Sequence, residues 1–217
     1  MKFCLPSTKI FYDWEHLLGS YQKHVTKNSI VLEIGASNNE RTKDLSRYCK
    51  QLIAMDILPE RIFKDFLNVT YVVGDWQRLS EFIAPKSVDV VVSSHVIEHV
   101  PNDLKAINEL WVVLKSGGIA ILNTPNRKRL TRAVIEIFTG DRKFPYWEHV
   151  REYNYDDLLH LLNDSRFKKF QIIPVTFGIH GGPIYWYLEK SPKMFRTHTN
   201  FWEIHLFKQA TQNCPKS

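Results

Sequence analysis

The stretch Ile30-Val31-Leu32-Glu33-Ile34-Gly35-Ala36-Ser37-Asn38-Asn39-Glu40 decides the fold. Its first five residues form an apolar, partly β-branched run broken only by Glu33 and stopped by Gly35. Short length and β-branched content predict a buried strand. Gly35 supplies the residue without a Cβ that a tight turn needs if backbone and ligand are to approach closely. Asn38 and Asn39 tolerate left-handed backbone angles better than most residues and can stand in for glycine.

Outward from that stretch, strands and helices alternate. Arg41 to Lys50 suits a helix, and Leu52-Ile53-Ala54-Met55-Asp56 a second strand. Pro59 is placed to open a short helix reaching Phe66. Val69 to Val73 reads as a third strand ending at Gly74-Asp75, and a short helix from Trp76 to Ile83 leads to the strand Val88-Asp89-Val90-Val91-Val92. Pro101-Asn102-Asp103 starts a long helix with Leu104, Ile107, Leu110, Trp111 and Leu114 on one face. Gly117-Gly118 is expected to end it before a fifth strand, Ile119 to Leu122. Helices over Arg127 to Thr139 and Tyr155 to Leu162 follow, then strands from Phe170 to Val175 and Phe201 to Phe207. Alternation at this pitch predicts an α/β fold: a Rossmann-like, doubly wound seven-stranded sheet with helices on both faces. The sheet is expected to be mostly parallel with an antiparallel last strand. Residues 1–217 read as one domain. Residues 1–29 form a helical lead-in, marked by Phe11, Trp14, Leu17, Leu18 and Tyr21. Residues 123–153 and 177–200 are expected to be acceptor-side insertions.

A hydrophobic share of 44% and a charged share of 24% belong to an ordinary globular chain, which excludes disordered and collagenous classes. Cys4, Cys49 and Cys214 are an odd number with no C-x-x-C spacing, so free thiols in a reducing compartment are expected. No signal-like apolar region and no run of about 20 apolar residues is present, so a cytoplasmic location without a membrane span is expected. The net charge of +6 gathers locally only at Arg127-Lys128-Arg129 with Arg132 and at Lys168-Lys169. A solvated face accounts for it, and an anionic acceptor is the alternative. No basic stripe interleaved with aromatics points to nucleic acid.

Ligands of open parallel sheets bind beyond the carboxyl ends of the strands, where the strand order reverses. The second strand ends at Asp56, about 20 residues after the glycine, where such domains place an acid against ribose hydroxyls. Asp75 can accept from an exocyclic amine such as that of adenine, and Trp76 offers a flat apolar surface. A dinucleotide loop would bring backbone N–H groups to a pyrophosphate, with G-x-G-x-x-G. This loop instead has one glycine and ends in Glu40, which repels phosphate, while Glu33 suits an ammonium group. A cofactor with an amino-acid tail and no phosphates is favoured, and S-adenosyl-L-methionine fits. The expected cofactor residues are Glu33, Gly35, Ala36, Ser37, Asp56, Ile57, Gly74, Asp75, Trp76 and Ser93.

Val31-Leu32-Glu33-Ile34-Gly35, Ala54-Met55-Asp56, Gly74-Asp75-Trp76, the run Val88 to Val100 and Leu114-Lys115-Ser116-Gly117-Gly118 stand in an order and spacing that resemble the motifs of class I S-adenosylmethionine-dependent methyltransferases. The likeness covers about residues 28 to 175 and is closest to the small-molecule group that includes ubiquinone-biosynthesis-like O-methyltransferases. It implies that Glu33 and Gly35 face the methionine moiety, Asp56 the ribose, and Asp75 and Trp76 the adenine. The family's first motif, E/D-x-G-x-G-x-G, is altered here by Ser37 and Asn39.

Methylating a hydroxyl requires a base near neutral pH, and histidine suits that task. The catalytic candidates are His149, His95 and His99, with His180 as a further one on a late loop. His95, Glu98 and His99 at i, i+3 and i+4 would share one helix face. No metal is assigned; Glu98 and His99 are the residues that would hold one. In the resembling ubiquinone enzymes an acid-x-x-acid-His arrangement stands here, with His95 in place of the first acid. His16, His24, His160, His198 and His205 receive no role. The expected function is O-methylation of a small-molecule acceptor: a sugar, quinol, polyketide or lipid-linked saccharide. The alternatives are an RNA or protein methyltransferase, and a catalytically silent cofactor-binding protein. The N-P-P-Y-type tetrapeptide of amino-methylating enzymes is replaced here by Ser93-Ser94-His95-Val96.

Overall fold

Val31 and Leu32 are both fully buried, yet successive residues of a strand face opposite sides of a sheet. Both faces of the sheet must therefore be covered. The computed structural model describes residues 2–4, 19–37, 39–61, 66–140, 148–179, 185–188 and 191–210, and it shows that covering directly. Seven strands form one sheet: β1 (Ile30–Ile34), β2 (Gln51–Asp56), β3 (Val69–Val73), β4 (Val88–Ser94), β5 (Leu114–Pro125), β6 (Lys169–Val175) and β7 (Phe201–Phe207). Their spatial order is β3-β2-β1-β4-β5-β7-β6. The last strand, β7, runs antiparallel to both neighbours, and the remaining pairs are parallel, as expected from the sequence. The order reverses between β1 and β4, and that crevice fixes the ligand side.

Besides the helical residues 19–21 of the expected lead-in, four α-helices are described in full: α1 (Asn39–Ser46), α2 (Asp103–Val113), α3 (Leu130–Thr139) and α4 (Tyr155–Asp164). One core layer joins Leu32, Met55, Val91 and Trp202 of the sheet to Ile107 and Leu110 of α2 and Leu158 and Leu162 of α4. The other joins Val31, Leu52, Val90 and Ile121 to Leu45 of α1 and to Tyr21 and Val25. Each large aliphatic side chain so buried contributes about 1.5–3 kcal/mol. On the second face, Ser20 Oγ donates to Glu203 Oε1 at 2.6 Å, and His205 Nε2 lies 2.7 Å from the same oxygen. Glu203 therefore ties β7 to the segment before β1, and His205, without an expected role, meets the ring of His24 in that segment edge-on with centroids 5.7 Å apart.

Several expectations need correction. The helix expected over Arg41 to Lys50 begins at Asn39 and ends at Ser46. The one expected from Trp76 to Ile83 is a 3-10 helix, Trp76–Glu81, broken at Arg78. Pro59 opens only the 3-10 turn Pro59–Arg61, and residues 62–65 of the expected helix lie outside the described residues. Helix α2 stops at Val113, where Leu114 is already extended, so Gly117 and Gly118 sit inside β5. The strand is longer than its apolar run because Asn123 and Thr124 are buried between neighbouring strands. The helix expected from Arg127 starts at Leu130. A second, antiparallel sheet of Lys2–Cys4, Phe177–Ile179 and Tyr185–Leu188 was not anticipated. It puts a strand at the start of the expected helical lead-in, whose Phe11, Trp14, Leu17 and Leu18 lie outside the described residues. Cys49 is a buried free thiol. Among the described residues no helix is long and apolar enough to cross a membrane.

Candidate active site

Strand ends build the site. A cavity of about 320 Å³ opens beyond the carboxyl ends of β1, β2, β3 and β4, a size within the range of small-ligand pockets. Its wall includes Gly35 and Ser37 after β1, Asp56 and Ile57 at the end of β2, and Gly74, Asp75 and Trp76 after β3. The wall closes with Ser94, His95, Val96 and His99 after β4. Seven of the ten expected cofactor residues are thus brought together. Glu33 and Ser93 line a small adjoining chamber that shares Ile34, Gly35 and Ser94 with the cavity, while Ala36 is buried and lines neither.

The backbone of Gly35 lies at φ +81°, and a Cβ there would meet Val96 Cγ2 at 2.3 Å. Only glycine allows the two loops to approach so closely. Asp56 is buried, and its Oδ1 accepts from Leu58 N at 3.0 Å. Asp75 Oδ1 accepts from Gln77 N at 2.8 Å, capping the 3-10 turn; a carboxylate has about four acceptor positions, so capacity remains. Trp76 is almost wholly buried and meets the cavity from the core beneath it. Strand parity turns Glu33 toward α1, where Thr42 Oγ1 donates to its Oε2 at 2.8 Å. Burial pushes the Glu33 carboxyl up to about 7, although the Thr42 bond and Arg41 oppose the shift.

The cavity wall leaves buried polar atoms unanswered. Ser93 Oγ, Ser94 Oγ and Trp76 Nε1 have no hydrogen-bond partner among the described residues. Buried polar groups are normally satisfied, so these atoms mark where a polar ligand completes the wall. An amino-acid tail beside Glu33 and the serines, with a ribose at Asp56, fits these residues. The sequence reading missed Leu58, Arg61, Gln77 and Glu148 in the cavity, and Tyr21 and Arg41 in the small chamber. No local pattern distinguishes these residues from others of their type.

The acceptor end differs from the expected helix face. His95 has φ +56°, with its N–H donating to Asn123 O at 2.9 Å, so it is not helical; only Ile97–His99 forms a 3-10 turn. His95 still meets Glu98 by a different route: its Nδ1 lies 3.4 Å from Oε1 of the fully buried Glu98. Glu98 Oε2 accepts from Thr124 Oγ1 at 3.0 Å. His99 lines the cavity, with Nδ1 3.1 Å from Glu148 O. His149 stands behind it, ring edge to ring at 4.7 Å, and is not among the lining residues. Its Nδ1 lies 3.0 Å from Glu152 Oε1. Arg129 donates to both oxygens of Glu152, at 2.8 and 3.1 Å. Burial pushes the Glu152 carboxyl up, but the bonds from His149 and Arg129 outweigh it and hold it below the usual range. Glu98, His99 and His149 offer ligand atoms within 4.8 Å of one another, so a divalent ion would sit here rather than at Glu98 and His99 alone. His180 and Gly181-Gly182-Pro183 lie outside the described residues, as do Asn38, Tyr146 and Trp147.

The basic cluster is also internally answered. Arg129 is committed to Glu152, and Arg127 and Arg132 each reach Glu136 Oε1 at 2.8 Å. That leaves Lys128 as the exposed member of the group.

The comparisons with known proteins agree with this geometry. The methyltransferase domain model matches residues 32–122. A Mycolicibacterium smegmatis protein, named as a probable S-adenosylmethionine-dependent methyltransferase, is 29% identical over 171 residues, 71% of this chain and 61% of that one. A ubiquinone biosynthesis O-methyltransferase of Xanthomonas campestris is 30% identical over 104 residues, covering 45% of this chain and 43% of that one. The chain thus spans about half the length of the curated relatives it matches. The crystal structure of a methyltransferase from Archaeoglobus fulgidus superposes with a TM-score of 0.64 at 16% identity, covering 91% of this chain and 94% of that one, which shows a shared fold. The expected cofactor, S-adenosyl-L-methionine, is the one this family uses. In its motifs, its strand order and these relatives, the chain is similar to the class I S-adenosylmethionine-dependent methyltransferases.

Proposed function

We propose that this chain transfers a methyl group from S-adenosylmethionine to a hydroxyl of a small-molecule acceptor, with His95 as the base. One observation carries the proposal: His95 is held in a left-handed conformation on the cavity wall, with buried Glu98 behind its Nδ1. A non-glycine residue at positive φ costs energy and persists where surrounding structure demands it. When bound, the cofactor supplies an electrophilic methyl group on a sulfonium. Asp56 accepts from the ribose hydroxyls, Asp75 borders the adenine, and Glu33 pairs with the ammonium of the amino-acid tail. His95 takes the acceptor proton on Nε2, and Glu98 orients the ring and stabilises the imidazolium that results. His99 shapes the acceptor side of the cavity, and His149 is a positioning residue acting through it. The name of the ubiquinone-pathway relative puts its methyl group on oxygen, which supports a hydroxyl acceptor such as a sugar, quinol, polyketide or lipid-linked saccharide.

The test is His95→Ala. Turnover should fall at least about a hundredfold, the usual scale for a lost general base. Affinity for S-adenosylhomocysteine, read by calorimetry, should stay within about twofold, because His95 is assigned to the acceptor rather than the cofactor. Parental turnover would remove His95 as the base. No cofactor binding by the parent at millimolar concentration would remove the whole reading and leave a silent scaffold.

A further inference from the structure

We propose that Gln77 is a positioning residue that fixes the Asp75 carboxylate against the cofactor's adenine and so makes the cavity select adenine over hypoxanthine. The inference rests on the placing of adenine at Asp75 in the function proposed above. Gln77 is half-buried and lines the cavity beside Asp75 and Trp76. Its backbone N–H donates to Asp75 Oδ1 at 2.8 Å, and its side-chain Nε2 lies 3.3 Å from Oδ1 and 3.2 Å from Oδ2. On the far side, its Oε1 accepts from Asn102 N at 2.9 Å. The oxygen and nitrogen of a side-chain amide are told apart by what they bond. Here the backbone N–H can only donate and the carboxylate can only accept. The side chain therefore has a single orientation, with its oxygen to Asn102 and its donor to Asp75.

The anchoring extends into α2. Asn102 caps that helix, its Oδ1 accepting from Lys105 N at 3.0 Å. Ser80 N donates to Glu109 Oε2 of the same helix at 2.6 Å, and Trp76 and Leu79 are buried in the core. The 3-10 helix Trp76–Glu81 cannot turn about its axis without breaking these contacts, and Gln77 carries that rigidity to Asp75. Among the described residues Gln77 alone donates to Asp75, so the acceptor positions that remain are left to a ligand in the cavity. Adenine offers an amine there. Hypoxanthine offers a carbonyl oxygen, which a carboxylate repels. A site built to pair with a donor rejects an analogue that lacks it, because the acceptor is then left unanswered. A carboxylate free to rotate would turn to water and lose that discrimination, whereas one held at both oxygens keeps it.

Calorimetry with S-adenosylhomocysteine and with S-inosylhomocysteine, which carries a carbonyl in place of the amine, tests it. The parent should prefer the adenine compound by about a hundredfold or more. Gln77→Met should lower that preference at least about tenfold, the scale of a hydrogen bond to a charged group. A merely structural Gln77 would weaken both compounds alike and leave the ratio unchanged, which overturns the inference. In an Asp75→Ala background, Gln77→Met should change the ratio no further. A continuing effect there would mean that Gln77 touches the base itself, and also overturns it. Gln77→Glu, which keeps an acceptor for Asn102 N, replaces Gln77→Met should the latter fail to fold. A parent that binds both compounds equally removes adenine from Asp75 and the inference with it. A parent that binds neither overturns this inference together with the function proposed above, whereas an unchanged ratio in the variant overturns this inference alone.

Discussion

Glu33 sits in a place where water cannot easily solvate a carboxylate, between Thr42 and Arg41 of α1 and Tyr21, with Asp56 adding like charge. Its folded value, about 7, lies above the ordinary 4.5. In the cofactor-free protein its contribution to stability is therefore fully present below about 4.5 and lost as pH rises to about 7. An ammonium group beside the ionised carboxylate offsets that loss. The melting temperature of the free protein should fall across this window, while the added stabilisation by S-adenosylhomocysteine should grow across it. Glu33→Gln should flatten both profiles in thermal-shift measurements. A parent whose cofactor stabilisation does not change with pH would take the ammonium away from Glu33. The acid itself was legible in the sequence as a charged residue ending an apolar run. Its tight enclosure was not, because Tyr21 and Arg41 come from other elements.

Elements meet at Gly35. The turn after β1 passes under the loop after β4, and the 2.3 Å approach a Cβ would make to Val96 leaves no room for a side chain. Gly35→Ala should lose about 2 kcal/mol or more of stability, combining overpacking with the cost of a left-handed residue. Chemical denaturation should show part of that loss recovered in Gly35→Ala/Val96→Ala. A Gly35→Ala protein as stable as the parent would mean that the two loops do not touch. Strands rich in β-branched and aromatic residues, such as Val69–Val73 and Phe201–Phe207, were readable to the residue despite Thr70, Glu203 and His205 within them. Strand β5 was not, because Lys115 and Ser116 at one end and Asn123 and Thr124 at the other look like loop residues. Pairing with β4 and β7 satisfies their backbones and overrides local composition.

At the scale of the molecule, the segment before α4 is fastened to the segment before α3 by Arg129 and Glu152, whose side chains are 7% and 0% exposed. Arg129→Met should cost about 3–5 kcal/mol, since it strands a buried carboxylate. Arg129→Met/Glu152→Met should recover much of that loss in the same denaturation measurement; a double variant no better than the single one would mean that the pair is not coupled. The number of strands in the main sheet, its antiparallel last strand, the glycine turn, and the acids at the end of β2 and just after β3 were all legible in the sequence itself. Periods of two and of 3.6 residues, together with the chemistry of turn residues, are local properties. Only the tertiary structure decided which histidines reach the cavity, because the loops after β4 and before α4 are brought together across some 50 positions of chain. It alone decided the orientation of α3 as well. Periodicity marks an apolar stripe along a helix, but which side of it faces the protein follows from what distant parts of the chain pack against it, here the strand Phe177–Ile179.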